Sequence, residues 1–201
     1  MDAVRVSALR ERLTGTGWLE AVGGFAGSLR RSVERRGAAG LLLVGTEAYE
    51  PWHLAAHLED EAAWSAVPRL APTLLRHRPP AGAPAHLAHD LRRLAEAGRG
   101  ATVLLVAPEA AGAPLLERVH DARRQGATVL ALDGAAAAEP GDLGGLAHER
   151  LAVGTAAEEP FDLAQHLVSA AAGHPPGHRT ALNRLAALAA RLTSAPTISR
   201  W

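Results

Sequence analysis

The sequence lacks two residue types that carry much of the chemistry of enzymes. It contains no cysteine, which excludes disulfides, thiolate metal sites and a cysteine nucleophile. It also contains no lysine, because all 21 of its Lys and Arg positions are arginine. Schiff-base catalysis and the lysine of a phosphate-binding P-loop are therefore excluded as well.

Net charge and long apolar runs are missing too. The chain has 21 basic and 21 acidic residues and a formal net charge of zero, whereas a protein of nucleic acids or anionic membranes needs a basic excess. No stretch approaches the roughly 20 apolar residues of a membrane span. Residues 1–13 are too charged for a signal peptide. We therefore expect a cytoplasmic protein that binds neither nucleic acid nor membrane.

The composition is that of a folded protein, with 48% hydrophobic and 21% charged residues. A chain of 201 residues is long enough to form one sizeable core. Short, wholly apolar runs predict buried strands at 40–45, 101–107 and 127–132, with weaker candidates at 68–75 and 149–153. Apolar residues at helical spacing predict helices over 3–37 with a break at Gly15–Gly17, and over 51–64, 85–97, 114–125, 143–148, 161–172 and 181–192.

This alternation predicts an α/β fold of three layers, α/β/α, around a mostly parallel sheet of about five strands, with a flavodoxin- or Rossmann-like topology. We expect one domain over residues 1–173, followed over 174–201 by a linker, an amphipathic helix and a tail. Ligands of such sheets bind beyond the carboxyl ends of the strands. The loops after Gly45, Ala107 and Leu132 are therefore the places to search for a site.

Three stretches then line up in order. The first apolar strand leads into a helix with His53-Leu54-Ala55-Ala56-His57, and the next two strands enclose a helix that ends at Gly126. In the third stretch, residues 143–153 lead to the helix that carries Gln165-His166-Leu167. Over roughly residues 20–173 this order resembles a SIS (sugar isomerase) domain, nearest the sedoheptulose-7-phosphate isomerases and their non-catalytic relatives. The resemblance implies a homodimer or homotetramer whose partner is a sugar derivative or another protein.

The resemblance also implies a zinc site. The family's four ligand positions fall at His53, His57, Glu158 and His166, with His57 where the family has an acidic residue and Glu158 where it has glutamine. Two histidines four residues apart share one helix face. Together with a third histidine and a carboxylate they form a chemically reasonable zinc set. Because the chain has ten histidines, a chance pair and a buried, hydrogen-bonded His166 remain the alternatives.

Two loops depart from the family. The loop of residues 45–50 is two residues shorter and lacks the family's serine, while the turn Pro108–Pro114 has no hydroxyl and carries Glu109. A phosphate would meet like charge and few donors there, so ordinary phosphosugar binding is not expected. The candidate ligand-binding residues are Gly45, Thr46, Glu109 and Gly112. Glu47 and Glu50 are candidate general bases, the alternative being a solvated loop.

Three functions stay open. The first is a non-catalytic regulatory or scaffold module that binds a sugar derivative or a protein. The second is a metal-assisted isomerase or lyase for a sugar derivative without phosphate, in which zinc is the cofactor and Glu47 or Glu50 moves the proton. The third is an oligomeric structural protein with a vestigial pocket. Fold alone does not decide among them, because function depends on the site.

Overall fold

The computed structural model describes residues 17–134, 143, 145–153 and 161–174. Five strands form one sheet in the order β2-β1-β3-β4-β5, and every neighbouring pair is parallel. The strands are β1 (Gly40–Gly45), β2 (Pro72–Leu75), β3 (Ala101–Ala107), β4 (Thr128–Gly134) and β5 (Glu149–Val153). The predicted α/β fold is confirmed, and the strand order is the flavodoxin-like one.

The central strand explains why the sequence pattern is a continuous apolar run. Every residue of β3 is buried, since helices cover both faces of the sheet and neither face meets water. Gly45 of β1 aligns with Val106 of β3, and Ala107 of β3 aligns with Asp133 of β4. The loops that follow these three strands therefore leave the sheet side by side at its carboxyl edge.

Four α-helices of the described residues flank the sheet: α1 (Trp18–Glu34), α2 (Trp52–Trp64), α3 (Ala113–Arg124) and α4 (Phe161–Ala172). α1, α2 and α4 bury their apolar faces on one side of the sheet, in a cluster that includes Phe25, Leu58 and Leu167. α3 covers the other side, where Val119 packs with residues of β3 and β4. None of the helices among the described residues is long and apolar enough to cross a membrane.

The predicted helix over 85–97 is wrong. The chain instead forms two 3₁₀ turns, Ala85–Leu87 and Leu91–Leu94. Between them, His89 accepts a backbone hydrogen bond from Arg76, and Asp90 bridges to the same residue beyond the end of β2. The Asp90 carboxylate also accepts from the Arg92 amide at 2.8 Å. These bonds use groups that a continuous helix needs for its own ladder.

Other predicted elements differ in extent or lie outside the described residues. The candidate strand at 68–75 begins with a 3₁₀ turn, Pro68–Leu70, so that only Pro72–Leu75 is strand. In the predicted short helix at 143–148, the Leu146 and Ala147 amides donate to the Leu143 carbonyl as in a single turn. The predicted helices before Gly17 and over 181–192 lie outside the described residues. The domain division after residue 173 therefore stays a prediction.

Candidate metal centre

α2 and α4 bring three predicted metal ligands together. α2 starts directly after the loop that follows β1, so its first turns lie near the carboxyl edge of the sheet. His53 and His57 lie one turn apart on α2, and α4 presents His166 to both of them. One ring nitrogen from each residue lies within 4.8 Å of the other two. The fourth implied ligand, Glu158, lies outside the described residues.

The three rings are in direct contact. Nε2 of His53 lies 2.7 Å from Nε2 of His166, which is a hydrogen bond whose donor and acceptor depend on the tautomers of the two rings. The ring centroids of His57 and His166 are 3.9 Å apart, and those of His53 and His57 are 4.7 Å apart. The imidazoles thus form one cluster and not three separate surface side chains.

This cluster fits a transition-metal ion. A tetrahedral zinc ion with Zn–N bonds of about 2.0–2.1 Å holds its ligand nitrogens about 3.4 Å apart. The ring nitrogens lie between 2.7 Å and 4.8 Å from one another, so small side-chain rotations would bring all three to the bonding distance. Imidazole suits zinc, copper and nickel, whereas magnesium and calcium prefer oxygen. The three imidazoles would occupy three of the four positions of a tetrahedral zinc ion.

The pKa values of two of the histidines also favour metal binding. Burial lowers the pKa of His166 to about 4, and the neighbouring His57 and His53 add to this effect while Asp162 opposes it. Burial also lowers the pKa of His57, with a further contribution from His53. Only the neutral imidazole binds a metal. Near neutral pH, both of these rings are therefore in the form that can act as a ligand.

The loop after β1 is tightly packed, and its backbone conformation requires glycine at position 45. A Cβ at Gly45 would overlap the carbonyl oxygen of Tyr49 and approach Pro51, so only glycine fits. The Gly45 carbonyl accepts a hydrogen bond from Nε2 of His77 at 3.0 Å. Thr46 is buried, and its hydroxyl has no partner among the described residues. This turn leads the chain directly into α2 and its two histidines.

The two candidate general bases are held by arginines. Glu50 accepts hydrogen bonds from the Arg76 guanidinium, with a closest approach of 2.9 Å, and from Nε1 of Trp52 at 2.7 Å. The same guanidinium lies 4.9 Å from the Trp52 ring centroid. Glu47 pairs with Arg78 at 2.6 Å on the open surface. Both carboxylates thus tie the loop to the chain that follows β2.

The remaining candidate ligand residues lie beyond β3. Glu109 and Gly112 are exposed in the loop between β3 and α3, and the Gly112 carbonyl accepts from the amides of the first turn of α3. With Gly45 and Thr46 they flank the point between β1 and β3 where the strand order reverses, which is where open parallel sheets bind ligands. The structure thus places these four residues at one edge of the sheet.

Two solved structures share this fold over most of the chain. A candidate sugar-binding protein from Salmonella typhimurium LT2 is 18% identical, with a TM-score of 0.56, and the match covers 92% of this chain and 52% of that one. A candidate phosphosugar isomerase from Silicibacter pomeroyi DSS-3 is 16% identical, with a TM-score of 0.50, over 90% of this chain and 52% of that one. Similarity at this level establishes the fold.

The chain spans about half the length of these two structures. No protein-family model matches it, and a search of curated proteins finds no significant match. The comparisons therefore establish the fold that this chain shares with the two structures. What the site does has to be argued from its own residues, because one fold supports many functions.

Sequence reasoning missed a polar network beside the imidazoles. Gln165, fully buried on α4, donates through Nε2 to the Tyr49 hydroxyl at 2.8 Å and to Asp162 at 3.0 Å. Burial is the main cause that raises the pKa of Tyr49. The spacing of Asp162 and Gln165 is a detectable helical pair. Tyr49 lies 116 residues before Gln165, so no local pattern predicts this contact.

A second missed group is a buried ion pair at the end of β4. Asp133 is fully buried, and its carboxylate accepts from Nε and Nη2 of Arg150, with the shortest contact at 2.6 Å. These hydrogen bonds raise the pKa of Arg150. Removing one partner of such a pair leaves a buried charge uncompensated. The pair therefore ties the edge strand β5 to β4.

Proposed function

We propose that the chain is a divergent SIS-fold protein that binds a divalent transition metal, with Zn²⁺ as the first candidate, and a sugar derivative without phosphate. The observation that carries this proposal is the convergence of His53, His57 and His166 from two helices within 4.8 Å. These three residues would hold the ion, which would offer a Lewis-acidic position to a hydroxyl or carbonyl oxygen of the ligand.

The exposed carboxylate and the missing hydroxyl groups of the loop after β3 favour a ligand without phosphate. The turn Pro108–Pro114 offers no hydroxyl and carries an exposed carboxylate, Glu109. Glu47 and Glu50 in the neighbouring loop after β1 are paired with Arg78 and Arg76, so the repelling charge rests on Glu109, which has no ion-pair partner among the described residues. A dianionic phosphate would be repelled by Glu109 and would find no hydroxyl donor in its turn. The sugar class is carried over from the names of the two fold neighbours, and the charge restriction comes from this chain.

The first candidate function is non-catalytic binding of the ligand. Proton transfer needs a carboxylate or imidazole free to reach the ligand, whereas Glu50 is bound by Arg76 and Trp52 and Glu47 is paired with Arg78. These ion pairs favour a module that binds its ligand without converting it. A homodimer or homotetramer is part of the same proposal and rests on the family resemblance. A cytoplasmic location is also part of it and rests on the sequence composition.

A metal-assisted isomerase or lyase is the second candidate. The observation in its favour is the set of three imidazoles among the described residues, because three histidines with water or substrate in the fourth position hold zinc in catalytic sites. In this version Glu50 or Glu47 would leave its arginine and move a proton of the bound sugar derivative. Turnover of a neutral sugar by the zinc-loaded protein, followed by NMR, separates this candidate from the first.

Zinc affinity tests the proposal. Tag-free protein is titrated with Zn²⁺ in competition with a chromophoric chelator, beside a His166→Gln variant and a His120→Gln control. His120 is exposed on α3, so its loss removes an imidazole without touching the cluster. We expect one zinc per chain, and an affinity at least about 100-fold lower in His166→Gln because one ligand of three is lost. Equal affinity in wild type and His166→Gln contradicts the site.

Ligand class is tested on the same samples. Zinc-loaded and chelator-treated protein is screened by thermal shift against neutral sugars, polyols and the corresponding phosphates. We expect stabilisation by neutral compounds only, and only in the presence of zinc, since ligands stabilise the state that binds them. Stronger stabilisation by the phosphates would contradict the charge argument.

A further inference from the structure

The arginines at the two edges of the sheet differ in their partners. At the carboxyl edge, Arg76 and Arg78 are ion-paired with Glu50 and Glu47. At the amino edge, five exposed arginine side chains have no hydrogen-bond or ion-pair partner among the described residues. They are Arg35, Arg36, Arg69, Arg99 and Arg124.

These arginines follow the spatial order of the strands. Arg69 precedes β2, Arg36 precedes β1, Arg99 precedes β3 and Arg124 precedes β4. Neighbouring strands lie about 4.8 Å apart, so the loops before four adjacent strands span roughly 15 Å. The loops touch: the Ala39 amide donates to the Gly100 carbonyl at 2.9 Å. We call these five residues the arginine edge.

Helix ends account for only part of this set. Arg35, Arg36 and Arg124 lie at the carboxyl ends of α1 and α3, where a cation offsets the helix dipole. Arg69 lies in a 3₁₀ turn, and Arg99 follows the turns after Leu94. Because neither Arg69 nor Arg99 lies at the end of an α-helix, stabilisation of helices does not explain why arginines lie along the whole edge.

The surroundings of the arginine edge resemble a protein interface. Trp64 ends α2 at this edge and is 78% exposed, and Trp and Arg are the side chains most enriched among the residues that dominate binding energy. Among the nearby carboxylates, Glu34 is paired with Arg30 at 2.9 Å and Glu61 is largely buried beside His174, whereas Asp121, one turn before Arg124, is exposed. Glu96 is the exposed carboxylate nearest in sequence to Arg99.

We propose that the arginine edge binds an acidic segment of a partner protein. An extended peptide advances about 3.3 Å per residue, so roughly five residues cover the edge, and guanidinium groups bind carboxylates through paired hydrogen bonds. A nucleic acid is less favoured, because the chain has zero net charge and nucleic-acid binding relies on a basic excess. This surface lies opposite the metal centre and does not depend on the function proposed for it.

Peptide binding tests the inference. Fluorescence anisotropy of labelled octaglutamate is measured against the full chain, an Arg36→Gln/Arg99→Gln variant, and an Arg92→Gln/Arg118→Gln control with the same change in charge. Arg92 and Arg118 are exposed away from the edge, the first beside Asp90 and the second on α3. Octaglutamine and an oligothymidylate of the same length serve as the neutral and the nucleic-acid probes.

We expect octaglutamate to bind the wild type and the control alike, and about tenfold more weakly to the Arg36→Gln/Arg99→Gln variant. Binding should also weaken as salt rises from about 20 mM to about 150 mM, because the Debye length shortens. The inference is overturned if wild type does not bind octaglutamate or if both double variants lose the same affinity. Tighter binding of the oligothymidylate would overturn it in favour of a nucleic-acid surface.

Discussion

At Gly45 the backbone of β1 enters a turn that leaves no room for a side chain. A Cβ there would overlap the Tyr49 carbonyl oxygen, which belongs to the backbone and cannot rotate away. We expect Gly45→Ala to lower the free energy of unfolding by at least about 2 kcal/mol. Urea unfolding measures this change.

Gly23 is the matched control for that substitution. It lies inside α1, and a Cβ there would meet nothing within 4 Å. Because alanine favours a helix over glycine, Gly23→Ala should raise stability by about 0.5–1 kcal/mol. If Gly45→Ala proves as harmless as Gly23→Ala, the loop after β1 is not held in the described conformation.

His166 gives the metal-free protein a pH dependence whose sign can be worked out. Its folded-state pKa is lowered from 6.5 to about 4, so between these values the unfolded chain binds the proton more readily. The stabilising contribution is therefore present above about pH 6.5 and is lost as the pH falls towards 4. Since the ring is partly exposed, solvent screening limits the effect to about 1 kcal/mol.

Urea unfolding near pH 7 and near pH 5, in the presence of a chelator, checks this prediction against His166→Gln. The wild type should lose more stability than the variant on acidification. Parallel losses in the two proteins would show that the environment of His166 does not lower its pKa.

Among the elements, α4 depends most on contacts distant in sequence. It follows β5 at one side of the sheet, yet it packs against both α1 and α2. Apolar contacts alone allow a helix to slide or rotate, whereas a buried polar contact has one favourable geometry. The hydrogen bond between Gln165 and the Tyr49 hydroxyl therefore sets the orientation in which His166 faces α2.

Removal of the Tyr49 hydroxyl tests that role. Tyr49→Phe keeps the edge-to-face contact with Phe161, whose ring centroid lies 6.0 Å away, but removes the hydrogen bond between the loop and Gln165 of α4. We expect zinc affinity to fall about tenfold, together with a changed visible spectrum of the cobalt-substituted protein. Tyr49→Phe with unchanged affinity and spectrum would show that apolar packing alone positions His166.

Ser32→Ala is the control for Tyr49→Phe. It removes a buried hydroxyl that donates to the Leu29 carbonyl within α1. The stability cost should be comparable to that of Tyr49→Phe, about 1 kcal/mol. Because Ser32 makes no contact with the loop or α4 through this bond, zinc affinity should stay at the wild-type value.

Secondary structure was predictable where burial leaves a clear apolar pattern. The predicted bounds of β3 and α4 match the observed ones, because residues buried on both sides of the sheet or on one helix face leave a continuous or periodic apolar pattern. The predicted bounds of β5 also match, although two of its five residues are exposed. The failure at 85–97 has a tertiary cause. Its leucines have helical spacing, but Asp90 and His89 bond to neighbouring groups, including Arg76 from another part of the chain.

For the whole molecule, the histidines were predictable and the carboxylate partners were not. His53 and His57 share a helix face by spacing, and the family resemblance placed His166 with them. Arg76 follows Glu50 by 26 residues, and Arg78 follows Glu47 by 31. Such pairs form only when β2 docks beside β1, so a sequence pattern indicates a carboxylate but not whether it is free.

The two edges of the sheet divide the molecule into surfaces of different chemistry. The carboxyl edge carries the imidazoles and the loops that contain Gly45 and Gly112, while the amino edge carries Trp64 and arginines without an ion-pair partner in the described part of the chain. Because the strands are all parallel, loops of one kind collect at one edge. A small ligand at one edge and an acidic protein segment at the other could then bind at the same time.

The central claim is that three imidazoles form a metal site, and the metal content of the purified protein tests it most directly. Tag-free wild type and a His53→Ala/His57→Ala variant are purified in parallel without chelator, and their metals are measured by elemental analysis. The account predicts close to one zinc per wild-type chain and almost none in the variant. Equal metal content in the two proteins, or metal in neither, would contradict it.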